Sequence, residues 1–147
     1  MAAINPYLTL NGNCEEAFNF YKAAFGGEFT VISKFNEMPP QEGMPPMPAG
    51  AAEKIMHVSL PIGNGTILMG SDAVPGMSPD INFGNNFSIS VNATSEDEAN
   101  KLFNALSAGG KVTMPLGKMF WGAYFGMFTD KFGINWMVNY DYNTGQK

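Results

Sequence analysis

The sequence predicts an α+β fold built from two βαβββ modules, a strand, a helix and three strands written twice. The helices would lie on the outer face of a curved mixed sheet. Two observations carry this reading. The hydrophobic period switches from two to 3.6 and back in the same order in each half of the 147 residues. The halves also echo each other: Glu16-Ala17 followed by Gly26-Gly27 in the first, Glu98-Ala99 followed by Gly109-Gly110 in the second, with spacing that differs by one residue. Such a pair of modules leaves the inner sheet face concave, where small ligands bind.

Each element follows from its residues. Ile4 to Leu10 alternates, with Ile4, Pro6, Leu8 and Leu10 on one side, and reads as a half-buried strand. Asn11-Gly12-Asn13 breaks it. Apolar residues at 17, 18, 21, 24 and 25 give helical spacing over Glu15–Phe25, with Asn13 as expected N-cap and Gly26-Gly27 as terminator. Glu28 to Phe35 is β-branched and aromatic, hence a second strand. Glu37 to Ala52 holds five Pro, two Gly and three Met and has no period. It is expected to be a mobile loop over or beside the cavity, either a lid with adaptable Met38, Met44 and Met47 or a plain insertion. Ile55–Ile62 and Thr66–Ser71 are strands joined by a Gly63-Asn64-Gly65 hairpin.

The Gly-, Pro- and Asp-rich stretch that follows is expected to be a linker, about 73–85, between modules of about 1–72 and 86–147 in one domain. Asn86 to Asn92 alternates strictly. Thr94 or Ser95 caps a helix to about Ser107, Glu98 completing a capping box, and Gly109-Gly110 ends it. Three further strands are expected at Lys111–Leu116, Ala123–Thr129 and Ile134–Tyr140.

Composition narrows function. Hydrophobic residues are 45% and charged residues only 14%, against about 25% in an average soluble domain. The net charge is −5 with basic residues scattered singly, which argues against a nucleic-acid partner. No apolar run approaches the roughly 18 residues of a membrane span, and the first residues do not read as a secretory signal, so the expected compartment is cytoplasmic. Cys14 is the sole cysteine and His57 the sole histidine, so a disulfide within the chain, a thiolate cluster and a multi-histidine metal site within one chain are excluded.

The segments GNCEEAFNFYKAAFGGEF, HVSLPIGNGTILMGSD, FSISVNATSEDEANKLFNALSAGGKV and MPLGKMFWGAYFGMFTDKFGINWMVN resemble the PhnB-like branch of the glyoxalase/bleomycin-resistance (vicinal oxygen chelate) superfamily over nearly the whole chain. The FWG…DKFG…WM segment is the most specific. The resemblance implies paired βαβββ units, a cavity inside a curved sheet and a homodimer. The family also carries a demethylubiquinone methyltransferase-like label, but no glycine-rich nucleotide-binding turn follows a strand here. The superfamily's metal enzymes take one ligand from each of four strands. Those slots fall at Asn5 or Pro6, near Met69, at Asn86 and at Met137; none is His or carboxylate, so no metal is expected.

If the slots point inward, so do their second neighbours. The expected ligand-binding set is then Asn5, Tyr7 and Thr9; Ser59; Met69 and Ser71; Asn86, Ser88 and Ser90; and Asn135, Met137 and Asn139. Leu8, Leu10, Leu68, Phe87, Ile89, Val91, Trp136 and Val138 would pack on the helices. The inward set reads as a wet, uncharged cavity, or as polar filling of a narrow barrel. His57, on the side of Ser59, is a candidate general base or a structural histidine. Trp121, with Phe120 and Phe125, would form the cavity mouth, a dimer seam or core. Cys14 sits where a helix dipole lowers a thiol pKa, or is a small packing residue. The expected function is metal-free, cofactor-free binding of a small organic molecule. The alternative is a lyase-, dioxygenase- or transferase-type enzyme, metal-dependent or using His57.

Overall fold

The computed structural model describes residues 2–37, 50–63, 65–76 and 79–142. The expected lid over 37–52 and the centre of the hairpin, Asn64, lie largely or wholly outside them. The chain forms two compact units, Met1–Asn82 and Phe83–Lys147, so the division falls inside the stretch expected as a linker.

The first unit runs β1 (Tyr7–Leu10), α1 (Cys14–Phe25), β2 (Val31–Lys34), a 3₁₀ turn Phe35–Glu37, β3 (Ile55–Gly63) and β4 (Thr66–Asp72). Its sheet order is β1-β4-β3-β2, with β1 parallel to β4 and the other pairs antiparallel. The second unit repeats the plan with β5 (Ile89–Asn92), α2 (Glu96–Ser107), β6 (Lys111–Lys118), β7 (Ala123–Thr129) and β8 (Asn135–Asp141), in the order β5-β8-β7-β6. Two four-stranded mixed sheets, each with one helix, are the α+β architecture of two βαβββ modules.

Each helix covers one face of its own sheet. In the first unit Leu8, Leu10, Val58, Leu60 and Leu68 are buried together with Ala17, Phe18 and Tyr21 of α1. Gly70 permits that contact: a Cβ there would stand 2.7 Å from the Phe18 ring and 2.8 Å from the Leu8 carbonyl oxygen. In the second unit Phe103 of α2 packs edge-on to Phe128 with ring centroids 5.0 Å apart, beside buried Trp136 and Val138. Burying one such side chain contributes about 1.5–3 kcal/mol.

Several expected boundaries move. β1 begins at Tyr7, and Ile4 is 94% exposed rather than on the core side. Pro6 brings no N–H to the ladder, and its carbonyl oxygen accepts from Met69 N at 3.1 Å. β2 starts at Val31 and gives way at Phe35 to the 3₁₀ turn, where Lys34 N donates to Glu37 Oε2. Asn13 makes no side-chain cap; the buried Asp72 carboxylate takes the N–H groups beside it instead. β5 begins at Ile89, three residues later than expected, and Phe87 is 72% exposed rather than packed on a helix. The α2 cap is as expected at Ser95, whose Oγ accepts from Glu98 N at 3.0 Å. The Glu98 carboxylate reaches one residue further back, to Thr94 N at 2.7 Å.

Candidate functional site

In the first unit, strand pairing sorts the sequence-predicted residues onto one face. Tyr7 pairs with Met69 and Thr9 with Ser71 across β1–β4; Ser59 pairs with Met69 across β3–β4; Ser33 pairs with His57 across β2–β3. Tyr7, Thr9, Ser33, His57, Ser59, Met69 and Ser71 therefore share the face opposite α1, because successive strand residues point to opposite sides. That face carries hydroxyls, an imidazole and a thioether, and none of these seven is acidic or a lysine.

His57 is the organising residue. Its Nε2 shares a 2.9 Å hydrogen bond with Ser59 Oγ. Its ring stacks on Tyr7 with centroids 5.8 Å apart and planes inclined by 28°. The imidazole is held on two sides, half-buried, with Ser59 buried beneath it. Ser33 is the member that sequence reasoning missed. Alternation places it with Val31, but only the register with β3 brings it beside His57.

In the second unit Ser90 pairs with Met137 and Asn92 with Asn139, while Asn135 pairs with Thr129. Ser90, Asn135, Met137 and Asn139 thus share the face opposite α2. Asn135 is tied at both ends: its Oδ1 accepts from Thr129 Oγ1 at 2.8 Å, and its Nδ2 donates to the carbonyl oxygens of Gly84 at 3.1 Å and Phe87 at 3.4 Å. These bonds hold the strand's approach over a hollow of about 520 Å³ lined by Phe83, Gly84, Asn85, Thr129, Gly133 and Asn135.

The remaining predicted residues stand elsewhere. Asn5 spends its amide oxygen on Ile67 N at 2.9 Å, tying the chain to β4 ahead of β1. Asn86 and Ser88 precede β5, and Asn86 is exposed. Trp121 lies in the β6–β7 turn, 51% exposed, edge-on to Phe120 at 5.1 Å and to Phe125 at 6.1 Å.

Cys14 is not an activated thiol. It is fully buried, and burial, then the charge of Asp72 and then that of Glu15, push its pKa up, against the dipole's expected lowering. The buried carboxylates are pins. Asp72 Oδ1 accepts from Gly12 N and Cys14 N, and Oδ2 from Ile55 N, each at 2.9 Å. Asp130 Oδ1 accepts from Phe132 N and Ile134 N, and Oδ2 from Trp136 Nε1 at 2.8 Å. One holds the start of α1 and β3, the other the turn into β8.

The four superfamily slots do not fit a divalent metal. Met69 and Met137 offer thioethers, Asn86 an amide, and the first slot either the Asn5 oxygen, already engaged, or Pro6, whose side chain has no donor atom for a metal. Ni, Zn, Mn and Fe in their divalent states prefer imidazole, thiolate or carboxylate. Among the described residues no three His, Cys, Asp or Glu side chains stand together as a metal-binding group.

The model of the Glyoxalase/Bleomycin resistance protein/Dioxygenase superfamily matches residues 3–138. The crystal structure of protein PA1353 from Pseudomonas aeruginosa is 44% identical, with a TM-score of 0.83 over 96% of this chain and 98% of that one. The PhnB protein of Bacillus cereus is 27% identical, with a TM-score of 0.73 over 95% of this chain and 99% of that one. Protein YjdN of Escherichia coli K12 is 33% identical over 141 residues, covering 92% of this chain and 93% of that protein.

Proposed function

Because the chain belongs to the Glyoxalase/Bleomycin resistance protein/Dioxygenase superfamily, we propose that it is a PhnB-like protein that binds a small organic molecule without a metal. The supporting observation is the neutral polar sheet face around His57, set opposite α1. A ligand there would meet the Tyr7 ring, the hydroxyls of Thr9, Ser59 and Ser71, and the Met69 thioether. The corresponding face of the second unit, opposite α2, offers a ligand of its own Ser90, Asn135, Met137 and Asn139, with Asn86 and Ser88 ahead of β5 and Trp121 in the β6–β7 turn. Hydroxyl and amide hydrogen bonds and ring contacts hold such a molecule; a charged ligand would find no opposite charge among these side chains. The provisional 3-demethylubiquinone-9 3-methyltransferase label of the Bacillus cereus relative is not extended to this chain, whose sequence lacks a glycine-rich turn after a strand.

A second reading rests on the His57–Ser59 bond of 2.9 Å. An imidazole held in one orientation suits a general base, and the protein is then a superfamily enzyme using His57.

Elemental analysis of the purified protein, followed by a thermal-shift screen against divalent ions and a small-molecule library, tests the proposal. We expect no stoichiometric metal and at least one organic stabiliser whose effect His57→Gln and Ser59→Val reduce. About one tightly held Ni, Zn, Mn or Fe per subunit, ligated by His57 or a carboxylate, would sink the metal-free reading. Turnover of a hit that His57→Gln abolishes would favour the enzyme.

The proposed assembly is a symmetric homodimer in the cytoplasm, with no nucleic-acid or membrane partner. Val31 and Ile32 on edge strand β2, and Val112 and Met114 on edge strand β6, are exposed apolar residues of the kind that pairing covers. Light scattering showing a monomer at micromolar concentration would refute the dimer. Among the described residues no helix is long and apolar enough to cross a membrane.

A further inference from the structure

Three of the chain's five tyrosines converge at one end of the β7–β8 pair, away from the face carrying Met137 and Asn139. Tyr124 and Tyr140 are cross-strand partners on β7 and β8, and Tyr142 follows directly after β8. The Tyr142 ring stands edge-to-face to Tyr140 at 5.1 Å and tilted to Tyr124 at 6.3 Å. Two hydroxyls are anchored on α2: Tyr124 donates to Asn100 Oδ1 at 2.7 Å, and Tyr142 donates to Glu96 Oε2 in a short bond. The rings are therefore fixed in orientation while Tyr142 stays 37% exposed. Glu96 stands in the acidic first turn of α2, with Asp97 and Glu98 next in sequence.

A cation already uses this surface. Lys118 Nζ lies 5.9 Å from the centroid of the Tyr142 ring. Lys118 has no ion-pair partner among the described residues. An electron-rich ring face beside carboxylates attracts a cation, and a soft, weakly hydrated ammonium gains more there than a lysine head.

We propose that the Tyr124–Tyr140–Tyr142 platform with Glu96 is a binding site for a methylated or quaternary ammonium group on a small organic molecule, which displaces Lys118 from the Tyr142 ring. The hydroxyl bonds preorganise the rings, so binding does not have to order them. The site is built wholly from residues of the second unit and uses none of those around His57.

The test titrates tetramethylammonium chloride into the full chain at constant ionic strength and follows the probe methyl and tyrosine ring resonances by NMR. An uncharged molecule of similar size, tert-butyl alcohol, runs in parallel. A saturable upfield shift with the ammonium alone is expected. Tyr142→Leu should weaken it about fivefold, the scale of one exposed cation–π contact. Tyr142→Phe keeps the ring but loses the bond that orients it, and should weaken binding less than Tyr142→Leu does, while Lys118→Gln should tighten binding by removing the internal competitor. Tyr140→Leu serves as a second ring deletion should Tyr142→Leu fail to fold. A linear, unsaturable response, an equal response to tert-butyl alcohol, unchanged binding in both ring deletions, or weaker binding in Lys118→Gln would each overturn the proposal.

Discussion

Replacing Asp72 by Ala should be among the most damaging single changes in the first unit. The side chain is 4% exposed and receives three backbone N–H groups, those of Gly12, Cys14 and Ile55, each at 2.9 Å. Alanine leaves all three donors without their acceptor. An orphaned buried donor costs about 1–3 kcal/mol, so the total is about 3–9 kcal/mol, with water entering the vacated space favouring the lower end. Against a typical stability of about 5–15 kcal/mol this is a large fraction. For a chain of this length each kcal/mol moves Tm by about 3 °C, so Asp72→Ala should melt at least about 10 °C lower. Asp72→Asn should fall between, because its single oxygen can serve only part of the set and its NH2 group faces a remaining donor. The assay is urea unfolding with calorimetry; the midpoint should drop with the m-value unchanged. Because Ile55 stands two residues before His57, the His57 ring resonances should shift as well. A Tm for Asp72→Ala within about 2 °C of wild type would refute the reasoning that this carboxylate ties α1 to β3.

Three further outcomes are expected. Gly126→Ala should cost about 1–3 kcal/mol in urea unfolding, since its Cβ would stand 2.6 Å from the Phe103 ring and 2.8 Å from Leu116 Cα, whereas Gly117→Ala, with open space at its Cβ, should be near neutral. Cys14 should not react with Ellman's reagent at pH 8 in the folded protein and should react fully after denaturation, because burial and the Asp72 and Glu15 charges keep the thiol protonated. Tyr142 should ionise late. Burial, then the hydrogen bond to Glu96 and its charge, push it up to about 12, so the native state holds this proton more tightly than the unfolded chain. Any stability linked to it is fully present below the ordinary tyrosine value of about 10 and is lost as pH rises through about 12. A phenolate absorbance titration should lose a component near pH 12 in Tyr142→Phe.

The sequence alone determined the element order, the helix faces and much of the sheet parity. Periods of two and 3.6 are written by neighbours in the chain, so Ala17, Phe18 and Tyr21 announce a buried helix face without any knowledge of what covers it. The same local logic placed the Ser95–Glu98 cap and put Tyr7, Thr9, Met69 and Ser71 on the side away from the core. Where pairing partners or long-range acceptors decided, the sequence was silent. Asn13 has the right chemistry for an N-cap, but Asp72, about sixty residues away, supplies the acceptor. Asn5 and Asn135 look alike as polar strand residues. Only the fold shows that one ties off Ile67 N and the other clasps Gly84 and Phe87. Ile4 and Phe87 alternate correctly yet lie outside the paired strands, since alternation continues past the point where hydrogen bonding stops. Cys14 shows the same limit in electrostatics. Its place at a helix start is a local fact that lowers a thiol pKa, while burial and a distant carboxylate are tertiary facts that raise it, and the desolvated environment outweighs the dipole.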